Sequence, residues 1–136
     1  MEKENCIFCK IIKGEIPSYK IYENEYVYAF LDIAQDCYGH TLVVPKHHFE
    51  NLFDCDEKYL FEVIKATKYI ANHYKKLGFD AVNIINASGK EAEQSVFHLH
   101  FHIIPRTKND KLKVFPDFPG ATEPLDKQFE KLKIDK

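Results

Sequence analysis

The spacing of apolar residues changes near the middle of the chain. Between residues 56 and 77 they recur every three or four positions, which is the period of an α-helix with one buried face. Asp54 and Glu57 resemble a capping box at the start of this stretch, and Gly78 suits the left-handed position after its end. The pattern therefore predicts one long amphipathic helix. Its buried-face positions are Leu60, Ile64, Thr67, Ile70, Ala71, Tyr74 and Leu77.

Shorter stretches on either side of this helix are rich in aromatic and β-branched residues, which favour strands. The first two are separated only by a polar turn, so together they predict a β-hairpin. A third precedes the helix, and two more follow it, joined by a polar loop. The predicted strands cover residues 19–23, 26–33, 40–45, 81–86 and 96–104.

The order of these elements predicts the fold class. A hairpin and a third strand come before the long helix, and two strands come after it, which is typical of an α+β fold with an antiparallel sheet and one main helix. After Arg106 the chain carries Pro116, Pro119 and Pro124. We therefore expect an extended surface segment there, with a short helix at residues 125–132.

Composition limits the classes of protein to which the chain can belong. Its 136 residues suit one domain, and the formal net charge of −2 gives no electrostatic reason to expect a nucleic acid or an anionic membrane as partner. No apolar run approaches the ~18 residues of a spanning helix, and residues 1–14 lack the apolar centre of a signal peptide. We therefore expect a cytoplasmic protein whose four cysteines are reduced rather than paired in a disulfide framework.

Three of the seven histidines lie at alternate positions of the last predicted strand. In a strand, His98, His100 and His102 share one face, with Cα atoms of neighbours roughly 6.5 Å apart. Pro105 is expected to end this strand. The opposite face can pack on the core and carries Phe97, Leu99, Phe101 and Ile103.

Imidazoles in this arrangement support three interpretations. The face could be the ordinary solvent-exposed side of a half-buried strand, although three histidines are unusual there. Two of the histidines with a third ligand could hold a catalytic zinc ion, ~2.0–2.1 Å from each nitrogen. One neutral histidine could instead attack phosphorus and form a nucleotidyl-histidine that water cleaves, while a second histidine donates a proton to the leaving group. The histidine spacing alone leaves these interpretations open.

Cys6 and Cys9 form a C-x-x-C pair near the N-terminus. Such a pair occurs in redox proteins, but the βαβ unit of a thioredoxin-like domain does not follow it here. The two thiols are otherwise either buried reduced cysteines or half of a zinc site, which needs two more ligands. The pair by itself is weak evidence for a metal.

Four separated blocks of the sequence occur in the order typical of one protein family. They read CIFCKIIKGEIPSYKIYE, FLDI, GHTLVVPKHH and EQSVFHLHFHIIPR, and they fall within residues 5–106. The chain therefore resembles the histidine triad (HIT) family, in the branch of histidine triad nucleotide-binding proteins. The resemblance implies an α+β, HIT-like fold: an antiparallel sheet of about five strands, one long helix and a shorter N-terminal helix. It places a HIT domain at residues 1–107 and a C-terminal extension on or near it at residues 108–136.

The resemblance also implies an activity. His100 would attack the α-phosphate of a purine nucleoside phosphoramidate to form nucleotidyl-His100, and His102 would contact phosphate or leaving-group oxygens. His40 would lie near the same site, unless it is a turn residue that bonds a backbone carbonyl. The alternatives are hydrolysis of dinucleoside polyphosphates and a nucleotide-binding regulatory protein with weak activity. Members of this branch commonly form homodimers, in which the partner's C-terminal tail helps to form the leaving-group site.

For the cysteine pair, the resemblance implies a structural zinc ion. Zinc-containing members of the branch use the C-x-x-C pair, a histidine after the VPK strand and the first histidine of the triad. At these positions the chain has Cys6, Cys9, His48 and His98. Four protein ligands leave no open coordination position, so the zinc would be structural and would fasten the N-terminal segment to the sheet.

The nucleotide pocket is likewise implied only by the resemblance. Asp32 would accept hydrogen bonds from the ribose hydroxyls, and Asn86, Gln94 and Ser95 would contact the phosphate. Glu93 departs from the family pattern, because a glycine is usual at this position, and its negative charge could favour a cationic leaving group. The residues that would enclose the base, each of which could equally belong to the core, are Phe8, Ile16, Leu31 and Ile33.

Overall fold

The computed structural model describes residues 3–135. Within this range the chain forms three α-helices, a short 3-10 turn and one five-stranded antiparallel sheet, which confirms the predicted α+β class, the long helix and the shorter N-terminal helix. The helices are α1 (Ile7–Ile12), α2 (Glu57–Lys76) and α3 (Leu125–Leu132), and the 3-10 turn is Lys90–Ala92. The strands are β1 (Lys20–Glu23), β2 (Val27–Leu31), β3 (Thr41–Pro45), β4 (Ala81–Ile85) and β5 (Phe101–Arg106).

The strands of the sheet have the order β1-β2-β3-β5-β4, and all neighbours are antiparallel. β1 and β2 form the predicted hairpin. β5 is inserted between β3 and β4, so that His102 lies opposite Leu42 on one side and Ile85 on the other. One histidine of the triad is therefore held in the sheet from both sides.

The two faces of the sheet are covered by different helices. The α2 face is packed against the long helix, and its core contains Val27, Ala29, Val43, Val63, Ala66, Ile70, Leu99, Phe101 and Ile103. The opposite side, called the α1 face below, is packed against the N-terminal helix and contains Cys6, Phe8, Cys9, Ile11, Tyr28, Phe30, Leu42 and Val44. Because directly opposed residues share a face, His102 lies on the α1 face with Leu42.

The long helix begins two residues later than the predicted capping box. Its N-cap is Asp56, whose carboxylate accepts a hydrogen bond from the N–H of Tyr59 at 2.9 Å. Asp54 instead accepts from the N–H of Asn51 at 3.0 Å, within the preceding loop. The predicted pairing of Asp54 with Glu57 is therefore wrong, although the helix itself is confirmed.

The buried stripe of α2 is rotated relative to the predicted one. Val63 and Ala66 are buried, whereas 45% of Ile64 and 63% of Leu77 are exposed. The helical period is thus correct, but its phase is wrong by about one position for part of the helix. The predicted positions that are buried are Thr67, Ile70 and Tyr74.

The strand with the histidine motif is shorter and lies later in the chain than predicted. It runs from Phe101 to Arg106 instead of covering residues 96–104. Pro105 does not end the strand, although proline has no backbone N–H to donate. Pairing with β3 stops at Ile103, so no donor toward β3 is needed at Pro105.

Side chains continue to alternate upstream of β5, although strand pairing does not. Leu99 is buried on the α2 face, whereas the rings of His98 and His100 are buried on the α1 face. The N–H of Leu99 donates to the carbonyl of Phe49 at 2.7 Å, in the loop after β3, in place of a strand partner. Phe97 is an exception to the prediction, since 41% of it is exposed.

The C-terminal helix α3 coincides with the predicted one, and its apolar side chains, including Leu125 and Phe129, are exposed. The segment between β5 and α3 is held at its start by Arg106. The guanidinium of Arg106 donates to the carbonyl of Leu112 and to the carboxylate of Asp110, both at 2.8 Å. Among residues 3–135, no helix combines the length and the apolarity that crossing a bilayer requires.

Candidate active site and metal centre

The loop between β2 and β3 positions the first candidate histidine. Asp32 begins this loop, and its carboxylate accepts a hydrogen bond from the N–H of Ala34 at 2.9 Å. Gly39 ends it with φ of +76°, and a Cβ added there would lie 2.9 Å from Cγ of Pro105. Glycine fits both the conformation and the close approach, which puts His40 directly before β3.

His40 connects this loop to β5 through its two ring nitrogens. Nε2 lies 2.8 Å from Nδ1 of His102, and Nδ1 lies 2.7 Å from Oδ1 of Asp36. Neither partner is a backbone carbonyl, so the structure departs from the alternative in which His40 only stabilises its own turn. Sequence reasoning does not single out Asp36, because a carboxylate in a turn is common.

His100 is held in a defined tautomer by a backbone carbonyl. Its Nδ1 donates to the carbonyl oxygen of His98 at 2.7 Å, and because a carbonyl only accepts, Nδ1 carries the hydrogen. Nε2 of a neutral ring then keeps its unshared electron pair. Burial lowers the pKa of His100, and the ring of Phe8 packs edge-on against it with centroids 5.2 Å apart. The arrangement suits a neutral nucleophile.

His102 is adjacent to His100 and is itself mainly neutral in the unliganded protein. Burial, the largest effect, lowers the pKa of His102 to about 4. Its ring centroid lies 4.9 Å from that of His100. The two rings are therefore close enough to contact one phosphoryl group together.

A second cluster contains the four residues that the resemblance assigns to zinc. His98 Nε2 lies 2.9 Å from the carbonyl of Pro45 and donates to it, which leaves Nδ1 as a possible ligand atom. This Nδ1 lies 3.3 Å from Sγ of Cys6, 3.6 Å from Sγ of Cys9 and 3.2 Å from Nδ1 of His48. Cys9 Sγ also lies 3.5 Å from Nδ1 of His48.

These distances fit the edges of a tetrahedron around a zinc ion. With Zn–N of ~2.05 Å and Zn–S of ~2.3 Å, two nitrogens lie about 3.3 Å apart, and a nitrogen and a sulfur about 3.5 Å apart. Burial lowers the pKa of His98 to about 4, which favours the neutral ring that a metal needs. In His48 the other nitrogen, Nε2, is buried and has no hydrogen-bond partner among residues 3–135. The residues can hold a metal ion, and its identity as zinc stays a prediction.

The loop before the histidine motif uses its polar side chains differently from the prediction. Gln94 is buried; its amide nitrogen donates to the carbonyls of Glu50 and Val96, so both of its hydrogens are engaged. Asn86 donates to the carbonyl of His100 at 3.0 Å and thus supports the backbone at His100. With both hydrogens engaged, Gln94 lacks the donor role toward phosphate that we expected, whereas Ser95 is exposed and its side chain is available.

Leu31, which the resemblance assigns to the base pocket, lies on the α2 face of the sheet. Leu31 is paired with Thr41, whose hydroxyl bonds that of Tyr74 in α2, so Leu31 lies on the α2 face. There it lines a cleft of about 710 Å³, to which Asp32 and His40 also contribute. Its neighbour Phe30 lies on the α1 face, 5.5 Å from the ring of Phe8, and sequence reasoning missed it. The alternation along β2, which places Phe30 and Asp32 on one face, is the signal that could have found it.

The remaining pocket residues lie around the α1 face. Ile16 packs at the edge of the α1 cluster, and Phe8 lies within it. Ile33 is 78% exposed, so it is accessible to a ligand. One carboxylate oxygen of Asp32 lies 3.7 Å from Nδ1 of His40, so the acid predicted for the ribose adjoins the histidines.

A model of the HIT domain matches residues 13–109, which is more than half of the chain. The chain belongs to the HIT family. Adenosine 5'-monophosphoramidase HNT1 of Saccharomyces cerevisiae is 41% identical over 122 residues, which cover 90% of this chain and 75% of that relative. Two solved structures extend the likeness to the fold.

The first of these is a histidine triad nucleotide-binding protein from Candida albicans, with a TM-score of 0.81, 34% identity, and coverage of 93% of this chain and 92% of that one. The second is a zinc-bound histidine triad family protein from Mycobacterium smegmatis, with a TM-score of 0.78, 38% identity and coverage of 83% of each chain. These likenesses confirm the HIT-like fold.

Glu93, the departure from the HIT pattern, adopts the backbone conformation of a glycine. Its φ is +69°, in the left-handed region that costs an ordinary residue about 1 kcal/mol or more. Its N–H donates to the carbonyl of Lys90 at 2.9 Å, and its side chain is exposed. The backbone thus explains why glycine suits this position, and the amide of Glu93 is engaged within the loop rather than free for phosphate.

Proposed function

We propose that this HIT protein is a nucleotide hydrolase that cleaves a nucleoside monophosphate from its leaving group, with a purine nucleoside phosphoramidate as substrate. The observation that carries the proposal is the hydrogen bond from Nδ1 of His100 to the carbonyl of His98, which leaves Nε2 available for attack. The name of the yeast relative, adenosine 5'-monophosphoramidase, supports this substrate class, since it aligns with 90% of the chain.

In the first half-reaction, Nε2 of His100 attacks the α-phosphorus and forms a P–N bond, while the bond from phosphorus to the leaving amine breaks. The amine leaves with the bonding electrons and takes a proton from Nε2 of His102. The products are the free amine, nucleotidyl-His100 and a neutral His102.

In the second half-reaction, water attacks the same phosphorus while Nε2 of His102 accepts a proton from it. The P–N bond breaks and its electrons return to the ring of His100, which releases the nucleoside monophosphate. His102 is left protonated and can serve as the acid in the next turnover. His102 thus acts first as an acid and then as a base, and both histidines return to their starting protonation states after one turnover.

The nucleotide would lie along the α1 face. Asp32 keeps one carboxylate oxygen for the ribose hydroxyls while the other accepts from Ala34. Ile33, which is exposed, and the aromatic pair Phe8 and Phe30 border the region of the base. Ser95 would donate to the phosphate.

A zinc ion would be held by Cys6, Cys9, His48 and His98. With four protein ligands it would supply structural cross-linking rather than an open position for substrate. It would join α1 to the segment before β5, and His98 would then be fixed both by the metal and by the carbonyl of Pro45. The zinc-bound relative from Mycobacterium smegmatis supports this assignment.

We also propose a homodimer of the HIT domain, with residues 108–136 as an extension of each chain. β4 is an edge strand of the sheet, and its Ile84 is partly exposed. On α2, Phe61 and Ile64 are also exposed. Such an unpaired edge with adjacent apolar side chains suits pairing with a second copy.

The test is to incubate the protein with an adenosine phosphoramidate and with a dinucleoside polyphosphate, and to compare wild type with His100→Ala. We expect wild type to hydrolyse the phosphoramidate faster, and His100→Ala to lose at least about 1,000-fold in kcat. His73→Ala, an exposed histidine of α2, is the control and should keep full activity. Mass spectrometry of quenched wild-type protein should detect the covalent nucleotide.

Two outcomes would contradict the proposal. Full activity of His100→Ala excludes the nucleophile assignment. Binding of purine nucleotide by wild type without hydrolysis of either substrate indicates a regulatory binding protein instead.

A further inference from the structure

We propose that Asp36, acting through His40, is a positioning residue that determines which nitrogen of His102 faces the leaving group and stabilises the proton delivered there. The inference rests on the proposed hydrolysis and adds a carboxylate to it. Two short contacts carry it: Oδ1 of Asp36 to Nδ1 of His40 at 2.7 Å, and Nε2 of His40 to Nδ1 of His102 at 2.8 Å.

The positions of the hydrogen atoms along this chain of contacts follow from the carboxylate of Asp36, its first member. An ionised carboxylate only accepts hydrogen bonds, so Nδ1 of His40 carries a hydrogen and donates it to Asp36. In a neutral His40 ring, Nε2 then has the unshared pair and accepts. Nδ1 of His102 must therefore be the donor, which leaves Nε2 of His102 as the nitrogen that exchanges a proton with the reacting group.

Asp36 also stabilises the charged form of His102. When Nε2 of His102 takes up a proton, the ring becomes a buried cation, which burial disfavours. The carboxylate of Asp36 offsets part of this charge through the polarised ring of His40, in the manner of a carboxylate behind a catalytic histidine. The hydrogen bond from His40 lowers the pKa of the Asp36 carboxyl, so this residue stays ionised at neutral pH.

Other charged groups face the two imidazoles and act in the same or the opposite sense. Burial is the main reason that the pKa of His102 is lowered to about 4; His100 and His40 lower it further, whereas Asp32 and Asp36 raise it. An anionic phosphate beside His102 would add another raising contribution when substrate binds. The carboxylates and the substrate together thus favour the protonated acid.

The position of this chain of contacts suits a role at the leaving group. Asp36, His40 and His102 line one cleft of about 370 Å³. Its other walls come from β4, β5 and the segment after Arg106, including Ile85, Ile104 and Lys113. Lys113 is paired with Asp117 at 2.9 Å and brings a further cation to this cleft.

The turn that carries Asp36 also contains Cys37, whose thiol adjoins the same carboxylate and imidazole. A metal ion could bring these three side chains together, but the hydrogen bond from His40 to Asp36 already accounts for two of them. The Cys37 thiol also faces the Asp36 carboxylate within the same cleft, so Cys37 belongs to the surroundings of this chain of contacts. Asp80 provides a matched control, because it is an exposed aspartate outside this cleft and allows the same Asp→Asn substitution.

The decisive experiment compares two leaving groups in wild type, Asp36→Asn and Asp80→Asn. An alkylamine phosphoramidate of adenosine needs a proton on its leaving nitrogen, whereas a nitrophenyl ester of adenosine monophosphate releases a nitrophenolate that needs none. For Asp36→Asn we expect kcat/KM to fall roughly 10- to 100-fold with the amine and less than about threefold with the ester. Asp80→Asn should resemble wild type with both.

The pH profile gives a second readout that a merely structural role would not move. Loss of the carboxylate destabilises protonated His102, so the basic limb of kcat/KM for the amine should shift to lower pH in Asp36→Asn. Asp36→Glu should restore part of the activity. An equal loss with both leaving groups, or no loss with the amine, overturns the proposal.

Nitrogen NMR of the unliganded protein separates this inference from the proposed function. Wild-type His102 should be protonated at Nδ1, and the hydrogen on Nδ1 of His40 should show the downfield shift of a strong bond to a carboxylate, lost in Asp36→Asn. If wild type hydrolyses neither substrate, the proposed function fails. The role of Asp36 is then tested only by which nitrogen of His102 carries the hydrogen. Finding His102 protonated at Nε2 overturns the inference.

Discussion

Nε2 of His40 lies 2.8 Å from Nδ1 of His102, although 62 positions separate these residues in the chain. Antiparallel pairing of β3 with β5 brings them together, because it places His102 opposite Leu42, which is only two residues after His40. The contact therefore depends on the register at the start of β3. Any change in the turn that precedes His40 should alter the distance between the two nitrogens.

Gly39→Ala tests this dependence. A Cβ there meets Cγ of Pro105 at 2.9 Å and the residue must keep φ of +76°, so we expect a loss of about 3 kcal/mol in unfolding free energy. Gly14→Ala is the control, because Gly14 has a similar φ of +83° but nothing within 4 Å, and should lose only about 1 kcal/mol. Urea unfolding measures both. Equal losses in the two variants would show that contact with Pro105 has no effect.

Removal of one sulfur ligand should affect stability before chemistry. Cys9→Ser is expected to abolish zinc binding and to lower the unfolding free energy by about 3 kcal/mol or more, because a metal that binds only the folded protein stabilises it. Cys55→Ser, outside the cluster, should keep its zinc. Elemental analysis and guanidinium unfolding measure the two effects. Unchanged stability of the metal-free protein would contradict a structural role.

Glu93 allows backbone strain and charge to be separated. Glu93→Gly should raise the unfolding free energy by about 1 kcal/mol, because glycine adopts φ of +69° readily, whereas Glu93→Gln keeps the strain and removes only the charge. If the charge selects a cationic leaving group, both variants should lose preference for a lysine-linked over a neutral phosphoramidate. An unchanged preference in both excludes that role.

The ion pair between Arg106 and Asp110 should make stability depend on acid pH. Hydrogen bonding to Arg106 holds the pKa of the Asp110 carboxyl well below its usual range. A lowered folded-state pKa contributes stability that is complete above the ordinary value of about 3.9 and decreases as the pH falls below it. The stability difference between wild type and Asp110→Asn should thus be larger at pH 7 than at pH 3 in urea unfolding.

Asp117→Asn is the comparison for this measurement. Asp117 is an exposed partner of Lys113, and a surface pair of this kind contributes little. Its difference from wild type should be near zero at both pH values. A difference for Asp110→Asn that is independent of pH would mean that the pair with Arg106 does not shift the titration of Asp110.

Local periodicity was enough to predict most of the fold. β2, β3 and β4 lie within the predicted stretches, and α3 coincides with its prediction, because each depends on neighbours in sequence. The position of β5 depends instead on which of its residues pair with β3 and β4. The alternation of His98, His100 and His102 does not predict this pairing. That alternation continues for three residues before strand pairing begins at Phe101.

The site was harder to predict where a residue acts through a distant partner. A position in a motif assigns Leu31 to the base pocket, but only pairing with Thr41 shows that its side chain lies on the α2 face. The side-chain amide of Gln94 could donate to phosphate, but both of its hydrogens are donated to backbone carbonyls. Asp36 becomes informative only when the fold brings His40 and His102 together. In each case the deciding contact is long-range or depends on loop geometry.

The hydrogen bond from Leu99 to the carbonyl of Phe49 has a consequence for how the protein opens. This amide lies between His98 and His100, and its partner immediately follows His48 of the metal cluster. Amide hydrogen exchange at Leu99 should therefore report local opening of the loop after β3, whereas exchange at Val43 within the sheet should report global unfolding. If the cluster binds the proposed metal, its removal is expected to accelerate exchange at Leu99 and to leave exchange at Val43 slow, so that His100 becomes misaligned in a molecule whose sheet is still intact.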